Sequence, residues 1–109
     1  MANTFKSYTK ASVSTSTVDI YTVPSATTTI VIGVALANRL GTGTVYADIL
    51  VDKATGNDVY MIRNVALYDG SSFTLADTGK IILETGDKIK AISNTSNSVD
   101  VILSVLEQT

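Results

Sequence analysis

The chain has 109 residues, the length of a single domain, and 45% of them are hydrophobic, which is enough to form a buried core. Charged residues make up only 17% and the net charge is −2, so we expect a surface rich in hydroxyl and backbone groups. The chain has neither cysteine nor histidine, which excludes disulfides, thiol nucleophiles, thiolate zinc sites and imidazole catalysis.

Residues 1–16 are polar and rich in hydroxyl groups, with Phe5, Tyr8 and Val13 as isolated apolar side chains. This composition predicts an extended N-terminal arm, which would fray in a free monomer unless a neighbouring subunit holds it. An edge strand of the chain's own sheet is the alternative. We therefore divide the chain into an arm, residues 1–16, and a β-sandwich domain, residues 17–109, which is expected to fold independently.

Strand patterns begin at residue 17, and the first strand, residues 17–23, ends before Pro24. Residues 28–38 are apolar or glycine at every position from 30 to 37, which predicts a central strand buried on both faces. One predicted face carries Ile30, Ile32, Val34 and Leu36, and the other carries Val31, Gly33, Ala35 and Ala37.

Residues 44–52 alternate with a period of two, which is the strongest single strand signal in the chain. Val45, Ala47, Ile49 and Val51 are predicted to face inward, and Tyr46, Asp48 and Asp52 outward, with Leu50 among them. Turn residues 54–57 lead into a strand at residues 58–63. Further strands are predicted at residues 65–68, 71–75, 80–83, 88–93 and 99–105, separated by turns at 69–70, 77–79, 84–87 and 94–98.

The pattern as a whole gives eight or nine short strands, with turn signals roughly every 8–12 residues. No segment shows a capped helical period. The predicted fold is an all-β, antiparallel, jelly-roll-like β-sandwich with an N-terminal extended arm.

The distribution of charge argues against nucleic acid as a partner. The eight basic residues are scattered singly, and only Lys88 and Lys90 share a predicted strand face. The longest apolar run, residues 30–37, is far shorter than the roughly 20 residues of a spanning helix. The N-terminus lacks an apolar signal-peptide core, so we expect synthesis into a cytoplasm and no membrane partner.

Three groups of residues were considered as chemical sites. Asp52, Asn57 and Asp58 lie in one hairpin loop, with Asp48 at the same end of the sheet, but their spacing does not match a calcium loop. The pairs Asp69 with Asp77 and Glu84 with Asp87 lie in turns, where solvent would keep all four carboxylates ionised and unsuited to acid–base catalysis.

The third group is Ser7-Tyr8-Thr9-Lys10, which matches a serine–lysine motif that requires a helix. A polar arm does not provide one. We therefore assign no catalytic residue, no cofactor and no metal site, and predict that the protein is not an enzyme.

The tyrosines are the better candidates for binding. The chain has five tyrosines, two phenylalanines and no tryptophan. Tyr46 and Tyr60 are on the polar side of neighbouring predicted strands and are expected to pair across the hairpin, whereas Phe5 and Tyr8 are in the arm. These four residues form the predicted interface, and exposed tyrosines could also stack on sugars.

Several segments of the sequence are similar to small virion structural proteins of tailed bacteriophages. They cover most of residues 20–107, leave the arm outside, and comprise residues 21–25, 28–38, 70–72, 80–89 and 101–107. Such proteins are β-sandwiches that attach to the head, neck or tail. The resemblance implies assembly without catalysis and transfers no catalytic residue.

The leading functional hypothesis is a capsid decoration or cement protein that binds the particle through its arm and sheet edges. Its expected partners are the major capsid protein or neck and tail proteins and further copies of itself. Its expected location is the virion, assembled in the host cytoplasm. A neck, collar or tail-associated structural protein and a carbohydrate-binding module for host recognition are the alternatives.

Overall fold

The computed structural model describes residues 2–109, and within residues 76–80 it describes the course of the strand but not the side chains. Eight strands account for most of these residues. They are β1 (Asn3–Val13), β2 (Val18–Thr22), β3 (Thr28–Asn38), β4 (Val45–Asp52), β5 (Asp58–Leu67), β6 (Ser72–Leu83), β7 (Lys88–Ser93) and β8 (Val99–Gln108). The described part of the chain contains no helix that could cross a membrane.

The strands form two four-stranded antiparallel sheets, in the orders β1-β8-β3-β6 and β2-β7-β4-β5. The strands pair as they would in one long hairpin: β1 with β8, β2 with β7, β3 with β6, and β4 with β5. The hairpin is then rolled so that β3 also pairs with β8 and β4 with β7. This connectivity is a jelly roll, and it confirms the predicted fold class.

The core lies between the two sheets. Inward-facing side chains from both sheets alternate with outward-facing ones, and Ile49, Leu67 and Leu103 are fully buried. In β4 the predicted inward residues Val45, Ala47, Ile49 and Val51 are buried. Leu50, predicted to face outward, is buried as well, because it lies between Tyr60 and Lys90 of the two neighbouring strands. The hydrophobic core is therefore a single apolar layer to which all eight strands contribute side chains.

Strand β3 differs from its prediction in two ways. A register shift between Val31 and Gly33 changes which residues face inward, so that Val31, Val34 and Leu36 share the core face. The strand is central in its sheet, as predicted, but only one face is buried. On the other face Ile32 is 42% exposed.

Residues 58–67 form the single strand β5, where two strands had been predicted. Asn64 adopts a left-handed conformation, with φ 52°, and its N–H donates to the Asp48 carboxylate at 2.5 Å. This bulge lets one strand continue through the break in the sequence pattern. The turn predicted at residues 77–79 is also wrong, because residues 72–83 form the single strand β6, which takes up the extra residues in a register shift against β3.

Residues 3–13 of the predicted arm are extended and form the edge strand β1, which pairs with β8. The pairing is regular from Asn3 to Lys10, and a register shift then brings Val13 opposite Val99. Val13 is buried in the core, at 1% exposure. The alternative of an edge strand therefore describes this segment, and the independent folding of residues 17–109 stays a prediction.

Ala26, in the turn between β2 and β3, adopts a left-handed conformation with φ 53°. This conformation costs an L-residue about 1–2 kcal/mol, more than the 0.5–1 kcal/mol entropic cost of glycine. We expect Ala26→Gly to raise the free energy of unfolding by up to about 1 kcal/mol in urea titrations. Ala66→Gly, in the regular part of β5, should lower it by about 0.5–1 kcal/mol; a loss at both positions would contradict the strain argument.

Candidate functional site

The predicted interface residues of β1 point in opposite directions. Phe5 lies opposite Leu106 on the outer face of the first sheet, and its side chain is 74% exposed. Tyr8 lies opposite Leu103 and faces the core side, where its ring packs against Tyr21 with centroids 4.5 Å apart. Phe5 is thus accessible to a partner, whereas Tyr8 helps to hold β1 on the sandwich.

A buried carboxylate anchors the same strand from the inside. Glu107 on β8 is 4% exposed and accepts hydrogen bonds from the Tyr21 hydroxyl at 2.6 Å and the Tyr8 hydroxyl at 3.1 Å. The Lys6 ammonium lies 3.0 Å from its other oxygen. The Tyr21 hydroxyl also contacts the Thr29 hydroxyl at 2.7 Å. This network connects β1, β2, β3 and β8.

The network fixes the ionisation of its members. The hydrogen bond from Tyr21 is the main cause that holds the pKa of Glu107 below its usual range, despite burial. Burial, and then the hydrogen bond to Glu107, raises the pKa of the Tyr21 hydroxyl. Glu107 is therefore a charged acceptor and Tyr21 a neutral donor, which suits a structural contact rather than acid–base catalysis.

A second buried carboxylate, Asp87, joins two turns. It is 2% exposed and accepts hydrogen bonds from the backbone N–H groups of Ala54 and Glu84, both at 2.9 Å. The Lys53 ammonium lies 2.5 Å from it. Burial alone would raise the pKa of Asp87, but these donors outweigh burial and lower it. Asp87 is ionised as predicted, but hydrogen bonds rather than solvent keep it so.

Replacing Asp87 by alanine leaves two backbone donors and one ammonium without their acceptor. We expect Asp87→Ala to lower the free energy of unfolding by about 2–3 kcal/mol in urea titrations. Glu84→Ala is the matched control, because Glu84 reaches the same ammonium at 3.4 Å but is 79% exposed. A loss as large for Glu84→Ala would mean that the ammonium contact, and not the buried cap, stabilises these turns.

Tyr46 and Tyr60 lie on strands β4 and β5 of the second sheet and are each 44% exposed. They do not pair across the hairpin: Tyr46 lies opposite Ala66 and Tyr60 opposite Leu50. That prediction was wrong because the turn after β4 sets a register with Asp52 opposite Asp58, which places Leu50 and not Tyr46 opposite Tyr60. The Arg63 guanidinium lies 4.1 Å from the centre of the Tyr60 ring.

The outer face of the second sheet is charged. Lys90 lies 2.9 Å from Asp52 and 4.0 Å from Asp19, and Lys88 lies 3.5 Å from Asp19. The Asp52 carboxylate, once considered as a calcium ligand, is therefore paired with an ammonium group, whose hydrogen bond lowers the pKa of Asp52. Among the described residues, no group of three or more acidic side chains could hold a metal ion.

The outer face of the first sheet has a different chemistry. We call it the uncharged face, and its described side chains come from all four strands: Phe5, Ser7, Thr9, Ile30, Ile32, Ala35, Thr74, Ile82, Ile102, Ser104 and Leu106. Asp100 ends this surface on one side and is paired with Arg39 at 3.1 Å. Four of the members, Phe5, Ile32, Ile82 and Ile102, are between 42% and 74% exposed.

Sequence reasoning identified Phe5 but missed the rest of this surface and both buried carboxylates. The sequence did contain a signal for this face. Every second residue from Phe5 to Thr9 and from Ile102 to Leu106 is uncharged, and these are the outward positions of β1 and β8. The Ser7 and Lys10 side chains of the serine–lysine motif lie on opposite faces of a strand, so they cannot act as a nucleophile and base.

No protein-family model and no curated protein sequence matches the chain. Among solved structures, it is similar to a Bacillus endospore appendage protein, described as one of a novel family of disulfide-linked pili. The TM-score is 0.56 at 14% identity, over 99% of this chain and 87% of that chain. A chain of infectious bursal disease virus, strain Gx, gives a TM-score of 0.48 at 13% identity, over 96% of this chain and 28% of that chain.

The similarity to the appendage protein extends over nearly the whole chain, so it concerns the complete jelly roll, including the β1 edge. At 14% identity it is a similarity of fold. The chain is thus an all-β jelly-roll domain whose described outer side chains are charged on one sheet and uncharged on the other.

Proposed function

We propose that this chain is a non-enzymatic virion structural protein of a tailed bacteriophage, most specifically a capsid decoration or cement protein. The observation that carries the proposal is the uncharged face, which spans a whole sheet and exposes four large apolar side chains. Contiguous apolar surface of this kind is typical of sites that another protein covers.

The exposed apolar side chains of this face would stabilise a complex in which a partner covers them. Covering a large apolar side chain contributes roughly 1.5–3 kcal/mol for complete burial, and Phe5 and Ile82 are more than half exposed in the free chain. The hydroxyl groups of Ser7 and Ser104 between them can bond to a partner or to trapped water. An assembled particle would therefore cover a surface that a free subunit leaves in water.

The sheet edges are the second means of attachment in this proposal. Strand β1 is bonded to β8 on one side and forms the edge of its sheet on the other. A neighbouring strand or arm that paired with this edge would add main-chain hydrogen bonds. The similar appendage protein is described as disulfide-linked, but this chain has no cysteine, so its contacts would all be non-covalent.

In this role the partners are the major capsid protein or neck and tail proteins, together with further copies of the chain, and the protein is located in the virion. The sequence resemblance supports a tailed phage as the source. A neck, collar or tail-associated position uses the same surfaces and is the nearest alternative. Neither position requires a cofactor.

The test is the mass of the full chain in solution, measured by multi-angle light scattering at micromolar concentrations, together with co-sedimentation on phage heads that lack the protein. We expect an oligomer, binding to the heads, or both. A monomer that binds no phage particle would overturn the structural role.

A carbohydrate-binding module remains the second candidate, because Tyr46 and Tyr60 are both exposed on the second sheet. The Arg63 guanidinium already covers one side of the Tyr60 ring, which leaves less of that ring for stacking on a sugar. A glycan array would separate the two functions. Binding that Tyr46→Ala or Tyr60→Ala abolishes would support the carbohydrate module, and the absence of bound glycan would support the structural role.

A further inference from the structure

A row of apolar side chains crosses the uncharged face from edge to edge. Phe5 lies opposite Leu106, Leu106 opposite Ile30, and Ile30 opposite Ile82, so each of the four strands contributes one member. One further rung contains Ile102, opposite Thr9 and Ala35. The apolar groups are therefore arranged by the sheet register and are not scattered.

We infer that this face binds the same face of a second copy of the chain, in a two-fold symmetric contact between the two first sheets. The inference rests on the proposed structural role and names the partner of that surface. In such a contact each residue meets a residue of the same surface, so the face must be complementary to itself in charge and in shape.

The charge condition is met by the described side chains. Outside residues 76–80, whose side chains are not described, the uncharged face presents no cation or anion to an identical copy, and Asp100 at its end is paired with Arg39. The outer face of the second sheet would instead place Lys88, Lys90 and their acidic partners against the same charges. Burying these ion pairs or placing like charges against each other is costly, so the outer face of the first sheet is the favoured surface for self-association.

The shape condition is met by a projection beside a depression. Phe5 projects from β1 at 74% exposure, and next to it lies an open depression of about 290 Å³ above Ser7, Ser104 and Ile32. Lys6 also borders this depression, but its ammonium lies 3.0 Å from Glu107 towards the core side. The small serines thus leave space beside a large aromatic side chain, and the same face of another copy offers the reverse arrangement.

The area of the face is sufficient for a specific dimer. Four strands about 4.8 Å apart and a strand of ten residues, such as β8, give a surface of roughly 600 Å² per copy. Two copies would bury roughly 1,200 Å², which is the lower limit of stable specific interfaces. Because interface area does not fix affinity, self-association has to be measured over a range of concentrations.

The test compares two lysine substitutions at similar positions. Ile102→Lys places a charge on the inner strand β8 of the uncharged face, at a position 51% exposed. Tyr46→Lys places one on the inner strand β4 of the other sheet, at a position 44% exposed. In sedimentation velocity over a concentration series, Ile102→Lys should weaken self-association about tenfold or more, because each copy then buries an unpaired lysine in the apolar contact, whereas Tyr46→Lys should not.

Chemical crosslinking provides a second readout, since the chain has no cysteine of its own. A short thiol-specific crosslinker should capture a dimer of Ile102→Cys and not of Tyr46→Cys. Circular dichroism of each variant shows that it is folded.

The outcomes separate this inference from the proposed function. Self-association that Ile102→Lys leaves unchanged would overturn the face-to-face contact and leave a structural role through the sheet edges. A monomeric native chain would also overturn the contact, and binding to phage heads would then decide the structural role. A dimer that Ile102→Lys dissociates supports both.

Discussion

Glu107→Ala is expected to lower the free energy of unfolding by about 3–4 kcal/mol, because it removes the acceptor of the buried Tyr21 hydroxyl and of the half-buried Tyr8 hydroxyl. Lys6 on the edge strand would lose its ion pair as well. Urea denaturation followed by circular dichroism measures this loss. Gln108→Ala, at the next position of β8 but on the outer face, is the control and should change stability by less than about 0.5 kcal/mol.

The same carboxylate makes stability depend on pH. The folded pKa of Glu107 is below its ordinary value, so its contribution is present above that ordinary value and is lost as the pH falls through the folded pKa. Glu107→Gln keeps the volume and one acceptor but cannot titrate. Its stability should therefore fall less steeply than that of the native chain below about pH 4.5. If the free energy of unfolding fell equally with pH in both proteins, the network would not stabilise the ionised form of Glu107.

Removal of residues 1–16 should give a folded but less stable domain. Of the described residues that form the buried core, only Val13 belongs to this segment, and the rest lie in residues 17–109. The loss of the buried Val13 and of the half-buried Tyr8 should lower the free energy of unfolding by about 3–5 kcal/mol, at roughly 1.5–3 kcal/mol per side chain. Urea titration of the truncated chain measures this difference.

The end of β1 also connects the two sheets, because the Ser14 carbonyl accepts from the Ser93 N–H at 2.9 Å and the Val13 carbonyl from the Ser98 N–H at 3.0 Å. Val13→Ala in the full chain is the control for packing alone and should lower the free energy of unfolding by roughly 2 kcal/mol. A truncated chain that is unfolded in water would contradict the predicted division at residue 17.

Local patterns predicted most of the fold. The alternation in residues 44–52 gave both the strand β4 and its inward face, and the spacing of the turns gave a sandwich of eight or nine strands. The β-bulges were not predicted from these local patterns. The register shift at Val31 and Gly33 and the bulge at Asn64 depend on neighbouring strands, and the apolar and polar alternation within one segment does not reveal them.

Function-bearing surfaces were harder to predict, because they depend on strands distant in sequence. Phe5, Leu106, Ile30 and Ile82 form one row only after the jelly roll brings β1, β8, β3 and β6 together. Glu107 and Tyr21 are 86 residues apart, and Asp87 caps a turn 33 residues away. Composition nevertheless predicted the general character of these surfaces, since few charges and many hydroxyls were expected outside.

The most direct test of the proposed structural role is quantitative mass spectrometry of purified particles of the tailed phage that, under this proposal, encodes the chain. We expect the protein to be present in many copies and at a fixed ratio to the major capsid protein or to a neck or tail protein. Its absence from washed, intact particles would contradict a virion role.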